Sequence, residues 1–133
     1  MQVSGIDHVN ILTHDLEGSA AFYETVLGLV RDENLGVAPG FKGAWMRDAA
    51  GHAIVHLVWK DPASDRYEAY EPGSPTNAVH HVALRCKGFA AMRDTLDRLG
   101  IVSRVNDNTR ASVRQIFVTD PNAVNLELNF AGD

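Results

Sequence analysis

The chain carries one unit twice, and this limits its fold more than any other feature. Asp7-His8-Val9-Asn10-Ile11 resembles His80-His81-Val82-Ala83-Leu84. Each opens a stretch that runs through a helical pattern to a Leu-Gly-apolar stop, Leu27-Gly28-Leu29 or Leu99-Gly100-Ile101. His8 and His81 stand 73 positions apart and Gly28 and Gly100 stand 72 apart, so one deletion aligns the copies. Two copies are too short an array for a solenoid. The 133 residues suit one domain, and half of so small a chain could hardly bury its own sheet. We therefore read a single domain, 1–133, made of module 1 (1–60), a linker (61–77) and module 2 (78–133). The linker holds Pro62, Pro72, Gly73, Ser74 and Pro75, which punctuate and stiffen a connection.

Hydrophobic period gives the elements inside each copy. Residues 5–12 alternate as a strand. Asp15 is placed to cap a helix whose stripe is Leu16, Ala20, Tyr23 and Leu27, with Gly28 just past its end. Residues 29–33, 42–48 and 52–60 read as three more strands. In the second copy, residues 79–86 read as a strand. Phe89, Met92, Leu96 and Leu99 form a helical stripe that stops at Gly100. Residues 101–105, 112–119 and 123–130 complete the set. Each copy is βαβββ, which makes the fold class α+β. The loops at 31–41 and 106–111 are positioned to cover a site.

Composition removes several classes of function. Twelve Lys and Arg against seventeen Asp and Glu give a net charge of −5, the opposite of a nucleic-acid module's basic stripe. No apolar run approaches the roughly 18 residues of a membrane span. There is no basic leader or apolar signal segment. Cys86 is the single cysteine, so no intrachain disulfide forms, as suits a reducing cytoplasm. Without an evident activating base, Cys86 reads as inert.

Strand alternation then selects a polar face. Val9, Ile11, Val55, Leu57, Val82, Leu84, Leu126 and Leu128 point one way, toward the helices. His8, Asn10, His56, His81, Arg85, Glu127 and Asn129 point the other way, joined by Arg47 and Gln115. Three imidazoles and a carboxylate are costly to bury without partners. His8 and His81 lie on the first strand of each copy, and His56 and Glu127 on the last. If the two sheets meet about a pseudo-twofold axis, the four converge, and imidazole with carboxylate suits Zn, Ni, Fe, Co or Mn. Arg47 and Arg85 are candidates to anchor an anionic substrate, or to pair with Asp or Glu at the rim. Asn10, Gln115 and Asn129 are candidates to orient a ligand. His14 reads as solvated, His52 as structural at a turn, and His80 as facing away from the cavity. Tyr23 reads as core or dimer packing, and Trp45 and Phe117 as candidate walls of the cavity.

The segments Asp7-His8-Val9, Asp15-Leu16, Ala21-Phe22-Tyr23 and Val26-Leu27-Gly28-Leu29 resemble the vicinal oxygen chelate superfamily. So do His80-His81-Val82-Ala83-Leu84 and the run from Asp120-Pro121 to Leu128. That superfamily includes glyoxalase I, methylmalonyl-CoA epimerase, fosfomycin-resistance enzymes, extradiol dioxygenases and bleomycin-binding proteins. The resemblance implies two βαβββ modules forming a cupped mixed sheet around a central cavity that holds a divalent metal ion. By position, His8, His56, His81 and Glu127 match the four ligand places. Glyoxalase-like members usually carry Glu or Gln where this chain has His56.

The function this implies is that of a metal-dependent lyase or isomerase of the glyoxalase I type. It would act on a small molecule with vicinal oxygens through an enediolate-like intermediate, with Glu127 as the catalytic base. The alternatives are an Fe(II) extradiol ring-cleaving dioxygenase and a non-catalytic small-molecule binding or resistance protein. The expected setting is cytoplasmic and homodimeric, with no nucleic-acid or membrane partner.

Overall fold

The Asp15 side chain accepts a hydrogen bond from the Gly18 amide at 2.9 Å. It thereby starts helix α1 (Leu16–Thr25), satisfying one of the amides every helix leaves open. Gly28 closes the segment at φ +66°, a backbone state that costs glycine little. Helix α2 (Phe89–Leu99) ends at Gly100 in the same left-handed state, where the Gly100 amide donates back to the last turn. The computed structural model describes residues 1–32, 39–108 and 112–132, and the chain divides into two units, Met1–Pro72 and Gly73–Asp133.

The first unit carries β1 (Val9–Thr13), α1, β2 (Val30–Asp32), β3 (Gly43–Arg47) and β4 (Ala53–Trp59). Its sheet runs β1-β4-β3-β2, with β1 parallel to β4 and the other pairs antiparallel. The second carries β5 (Val82–Cys86), α2, β6 (Arg104–Asn108), β7 (Val113–Thr119) and β8 (Asn125–Ala131). Its sheet runs β5-β8-β7-β6, again with one parallel pair, β5 with β8. The βαβββ order and the pairing scheme are identical in the two units.

Each sheet buries one face. In the first, Ile11, Met46, Val55 and Leu57 are buried together with Leu16, Ala20 and Tyr23 of α1. Thr13 and Ser19, both buried, join strand to helix through a 2.8 Å hydroxyl contact. In the second, Ile116, Val118, Leu126, Leu128 and Phe130 are buried with Phe89 and Leu96 of α2. Phe89 meets Phe130 edge-on, with ring centroids 5.4 Å apart. Burial of each large aliphatic side chain contributes about 1.5–3 kcal/mol, and every such residue fixes the parity of its strand. Neighbours one position away must then face the other side.

Several boundaries differ from the sequence reading. β1 begins at Val9 and β5 at Val82, because their ladders with β4 and β8 begin at Val9↔Val55 and Val82↔Leu126. His8 and His81 therefore precede their strands. β6 covers Arg104–Asn108 where 101–105 was expected, since the ladder with β7 starts at Arg104↔Phe117 and leaves Val102 exposed. Leu99 of the expected helical stripe is likewise exposed. Residues 61–72 fall in the first unit. Lys60 Nζ donates to the Tyr70 carbonyl at 2.6 Å and to Glu71 Oε2 at 2.8 Å. Positions 33–38 and 109–111, most of the two expected covering loops, lie outside the described residues. Among the described residues, no helix is long and apolar enough to cross a membrane.

Candidate functional site

In the first unit the ladder sets Asn10 and Trp45 on either side of His56, through the registers Asn10↔His56 and Trp45↔His56. The Trp45 and His56 rings stack, 3.9 Å apart and 4° from parallel. The His8 ring stands edge-on to Trp45 at 4.8 Å and lies 6.1 Å from the His56 ring. His8 Nδ1 contacts Asp7 Oδ2 at 2.6 Å. A carboxylate on Nδ1 directs the Nε2 lone pair outward, the arrangement common to metal-binding histidines.

His56 Nδ1 contacts the Asn10 side-chain amide nitrogen at 3.1 Å. Its Nε2 is buried and has no hydrogen-bond partner among the described residues. Burial, and secondly the electrostatic influence of neighbouring His8, lower the His56 pKa from the ordinary imidazole value, which favours the neutral ring. With Asn10 donating, Nε2 carries the proton. With the isosteric amide turned over, Asn10 Oδ1 accepts from Nδ1 and the Nε2 lone pair is open to a cation. An unsatisfied buried ring nitrogen costs about 1–3 kcal/mol, and a cation or a substrate donor or acceptor removes that cost.

In the second unit, Ala83 and Phe117 flank Glu127 in register, and Arg85 and Gln115 flank Asn129. Glu127 is mostly buried. Its Oε1 accepts from Gln115 Nε2 at 2.8 Å and from Asn129 Nδ2 at 2.9 Å. Gln115 also donates to Asn129 Oδ1 at 2.9 Å and accepts from Asn106 Nδ2 at 2.9 Å. The other carboxylate oxygen, Oε2, lies 3.2 Å from His81 Nε2. One oxygen is thus clamped by two amides while the other faces an imidazole. Two donors at right angles around an ion, each at about 2.1 Å, stand about 3.0 Å apart. The His81–Glu127 spacing therefore fits a pair of neighbouring ligands as well as it fits a hydrogen bond.

The remaining expected residues are placed as follows. Arg47 donates through Nε to Asp32 at 2.5 Å and also contacts the Gly51 carbonyl. Its guanidinium is committed to the buried Asp32 carboxylate of β2, not presented to an anion. Arg85 is exposed beside Asn129. His14 pairs with Glu71 at 2.8 Å, where simple solvation was expected. Hydrogen bonds from Lys60, then from His14, hold the Glu71 carboxyl below its ordinary pKa. His52 is exposed at its turn, 3.6 Å from Asp48. His80 does not face away from His81. Its Nδ1 lies 2.9 Å from His81 Nδ1, with the rings edge-on at 5.3 Å. Strand parity misplaced it because both histidines precede β5. Cys86 is pushed up to about 11 by burial, so its thiol is protonated and unreactive at neutral pH. Tyr23 is fully buried in the core.

Among the described residues, no three or more His, Cys, Asp or Glu side chains form a group able to hold a metal ion. The first unit holds His8 and His56 with ring centroids 6.1 Å apart, and the second holds His81 Nε2 3.2 Å from Glu127 Oε2. The sequence reading missed Asn106, which extends the amide chain to Glu127, and Arg104, whose guanidinium lies over Phe117 at 3.9 Å. The correct bounds of β6 would have paired both with β7.

Residues 5–128 match the Glyoxalase/Bleomycin resistance protein/Dioxygenase superfamily, and the chain belongs to it. It is 26% identical over 134 residues to "Glyoxylase I 4" of Arabidopsis thaliana, spanning 96% of this chain and 71% of that protein. Among solved structures it resembles a glyoxalase/dioxygenase from Nostoc punctiforme, with TM-score 0.73 and 19% identity over 98% of this chain and 92% of that one. It also resembles the genomically encoded fosfomycin resistance protein FosX from Listeria monocytogenes, in its complex with Mn(II) and sulfate. There the TM-score is 0.67, with 17% identity over 99% of this chain and 95% of that one. These likenesses establish the glyoxalase-like α+β fold of two βαβββ modules.

Proposed function

We propose that the protein is a divalent-metal-dependent lyase or isomerase of the glyoxalase I type, acting on a small molecule with vicinal oxygens. Its candidate cation ligands are His8, His56, His81 and Glu127. The observation that carries this reading is the state of Glu127, with one oxygen held by Gln115 and Asn129 and the other 3.2 Å from His81 Nε2. The buried, partnerless Nε2 of His56 supports it independently. The donor set of imidazoles and a carboxylate suits Zn, Ni, Fe, Co or Mn, and the relationship to a protein crystallised with Mn(II) agrees.

A bound divalent cation supplies Lewis acidity, which makes the C–H beside a substrate carbonyl acidic enough to lose its proton. Glu127 is the base that takes this proton, at Oε2, which would give up its place as a ligand while it carries the proton. Oε1 stays with its two amide donors, so the carboxyl group keeps its place in both protonation states. Asn10 and Trp45 hold the His56 ring, one by its Nδ1 and the other by its face. The reading places the protein in a homodimer in the cytoplasm, with a small molecule as its partner.

The test needs no knowledge of the natural substrate. The metal-loaded protein is incubated in D₂O with simple α-hydroxyketones and α-hydroxyaldehydes, and deuterium entry beside the carbonyl is followed by NMR. Exchange that requires added metal and is lost in Glu127→Gln is expected. A fully loaded protein that exchanges no proton from any of them refutes the reading. Oxygen consumption with catechols under Fe(II) would replace it with ring cleavage.

A further inference from the structure

We propose that Arg104 anchors an anionic group on the ligand of this protein, a carboxylate or a phospho group carried by a small molecule. The proposal rests on the reading above only for the role of the His81–Glu127 pair beside it.

A cavity of about 340 Å³ lies within the second unit, on the polar face of its sheet. His80 and His81 form one wall, and Arg104, Phe117, Thr119 and Asn125 are among the others. Among the described residues, no Asp or Glu lines it. The Arg104 guanidinium carbon lies over the Phe117 ring, 3.9 Å from its centroid, a cation–π contact that holds the group in place while its N–H donors stay available to an acceptor. No described carboxylate lies within ion-pair distance of it, in contrast to Arg31 and Arg47, which pair with Glu17 and Asp32. The Thr119 hydroxyl donates to Asn125 Oδ1 at 3.1 Å, and Asn125 Nδ2 donates to the His80 carbonyl at 3.1 Å. These bonds hold the far wall in place. A guanidinium held on an aromatic ring, in a cavity whose described lining has no acid, in a chain of net charge −5, selects an oxyanion by bidentate hydrogen bonding. Phe117 pairs with Glu127 in register, so an anion held at Arg104 leaves the rest of the molecule beside that carboxylate.

The test uses full-length protein stripped of metal. Phenylphosphonate, benzoate and neutral benzyl alcohol are titrated separately while the Arg104 side-chain and Phe117 and Thr119 backbone NMR signals are followed. At least one of the two anions is expected to bind saturably and to shift these signals, and which one does so separates phospho from carboxylate ligands. Its Kd should rise at least about tenfold in Arg104→Gln and less in Arg104→Lys, with benzyl alcohol binding far more weakly. Unchanged dispersion of the remaining amide signals shows that the variants are folded. No saturable anion binding by the wild type, equal affinity in Arg104→Gln, or equal binding of benzyl alcohol each overturns the proposal. Metal uptake by the same wild-type protein is measured separately. Its failure would remove the proposed function and leave the result for Arg104 standing.

Discussion

Replacing Gln115 with Met keeps the length of the side chain and removes its amide. In the structure that amide donates to Glu127 Oε1 at 2.8 Å and to Asn129 Oδ1 at 2.9 Å, and it accepts from Asn106 at 2.9 Å. A hydrogen bond to a charged group contributes about 1.5–3 kcal/mol and each neutral one about 0.5–1.5 kcal/mol. Gln115 and Glu127 are partly exposed, so water replaces some of this, and the net loss should be about 2 kcal/mol. With an m-value of about 1–3 kcal/mol/M, the urea midpoint should fall by roughly 1 M. Because the amide acts on Glu127, a double-mutant cycle of Gln115→Met with Glu127→Ala should show a coupling of about 1 kcal/mol or more. Affinity for a divalent ion should fall in Gln115→Met by about 10–100-fold, as happens when a metal ligand loses its outer partner. A coupling below about 0.3 kcal/mol, the level of unconnected residues, would refute the clamp.

Asp120 is buried in the turn before β8, and its Oδ1 accepts from the Asn122 and Val124 amides at 2.8 Å each. Asp120→Ala should cost about 3–4 kcal/mol in chemical denaturation, because two buried amides lose a charged acceptor. Ala123 in the same turn sits at φ +65°, so Ala123→Gly should stabilise by about 1 kcal/mol, read in the same experiment. The Cys86 thiol, pushed up to about 11, should resist iodoacetamide at pH 8 and react progressively as pH approaches 11. Its folded pKa lies above the unfolded one, so its contribution to stability is full below about pH 8.5 and is lost as pH rises through about 11. Rapid alkylation at pH 8 in the folded protein would contradict this.

The parts of the fold and site legible from sequence are those fixed by an uninterrupted period. Leu126, Leu128 and Phe130 are buried, so Glu127 and Asn129 had to share the opposite face, and β7 supplies Gln115 to that face for the same reason. The shared βαβββ order followed from the repeat. Parity failed at His80 because alternation holds only inside a ladder, and β5 begins two residues later. The engagement of Arg47 by Asp32 depends on the register of β2 against β3, which no local pattern encodes. Arg104 was hidden for a related reason. Residues 101–105 contain three β-branched residues, Ile101, Val102 and Val105, yet backbone pairing with β7 sets the strand three residues later.

The most direct measurement is the metal content of the purified protein after equilibrium dialysis against Mn(II), Co(II), Ni(II) or Zn(II), compared with His8→Ala, His56→Ala, His81→Ala and Glu127→Ala. The account predicts one tightly held ion per site in the wild type for at least one of these metals, with retention lost in each of the four variants. Stoichiometric metal that survives in all four folded variants, or a wild type that holds none, would contradict it.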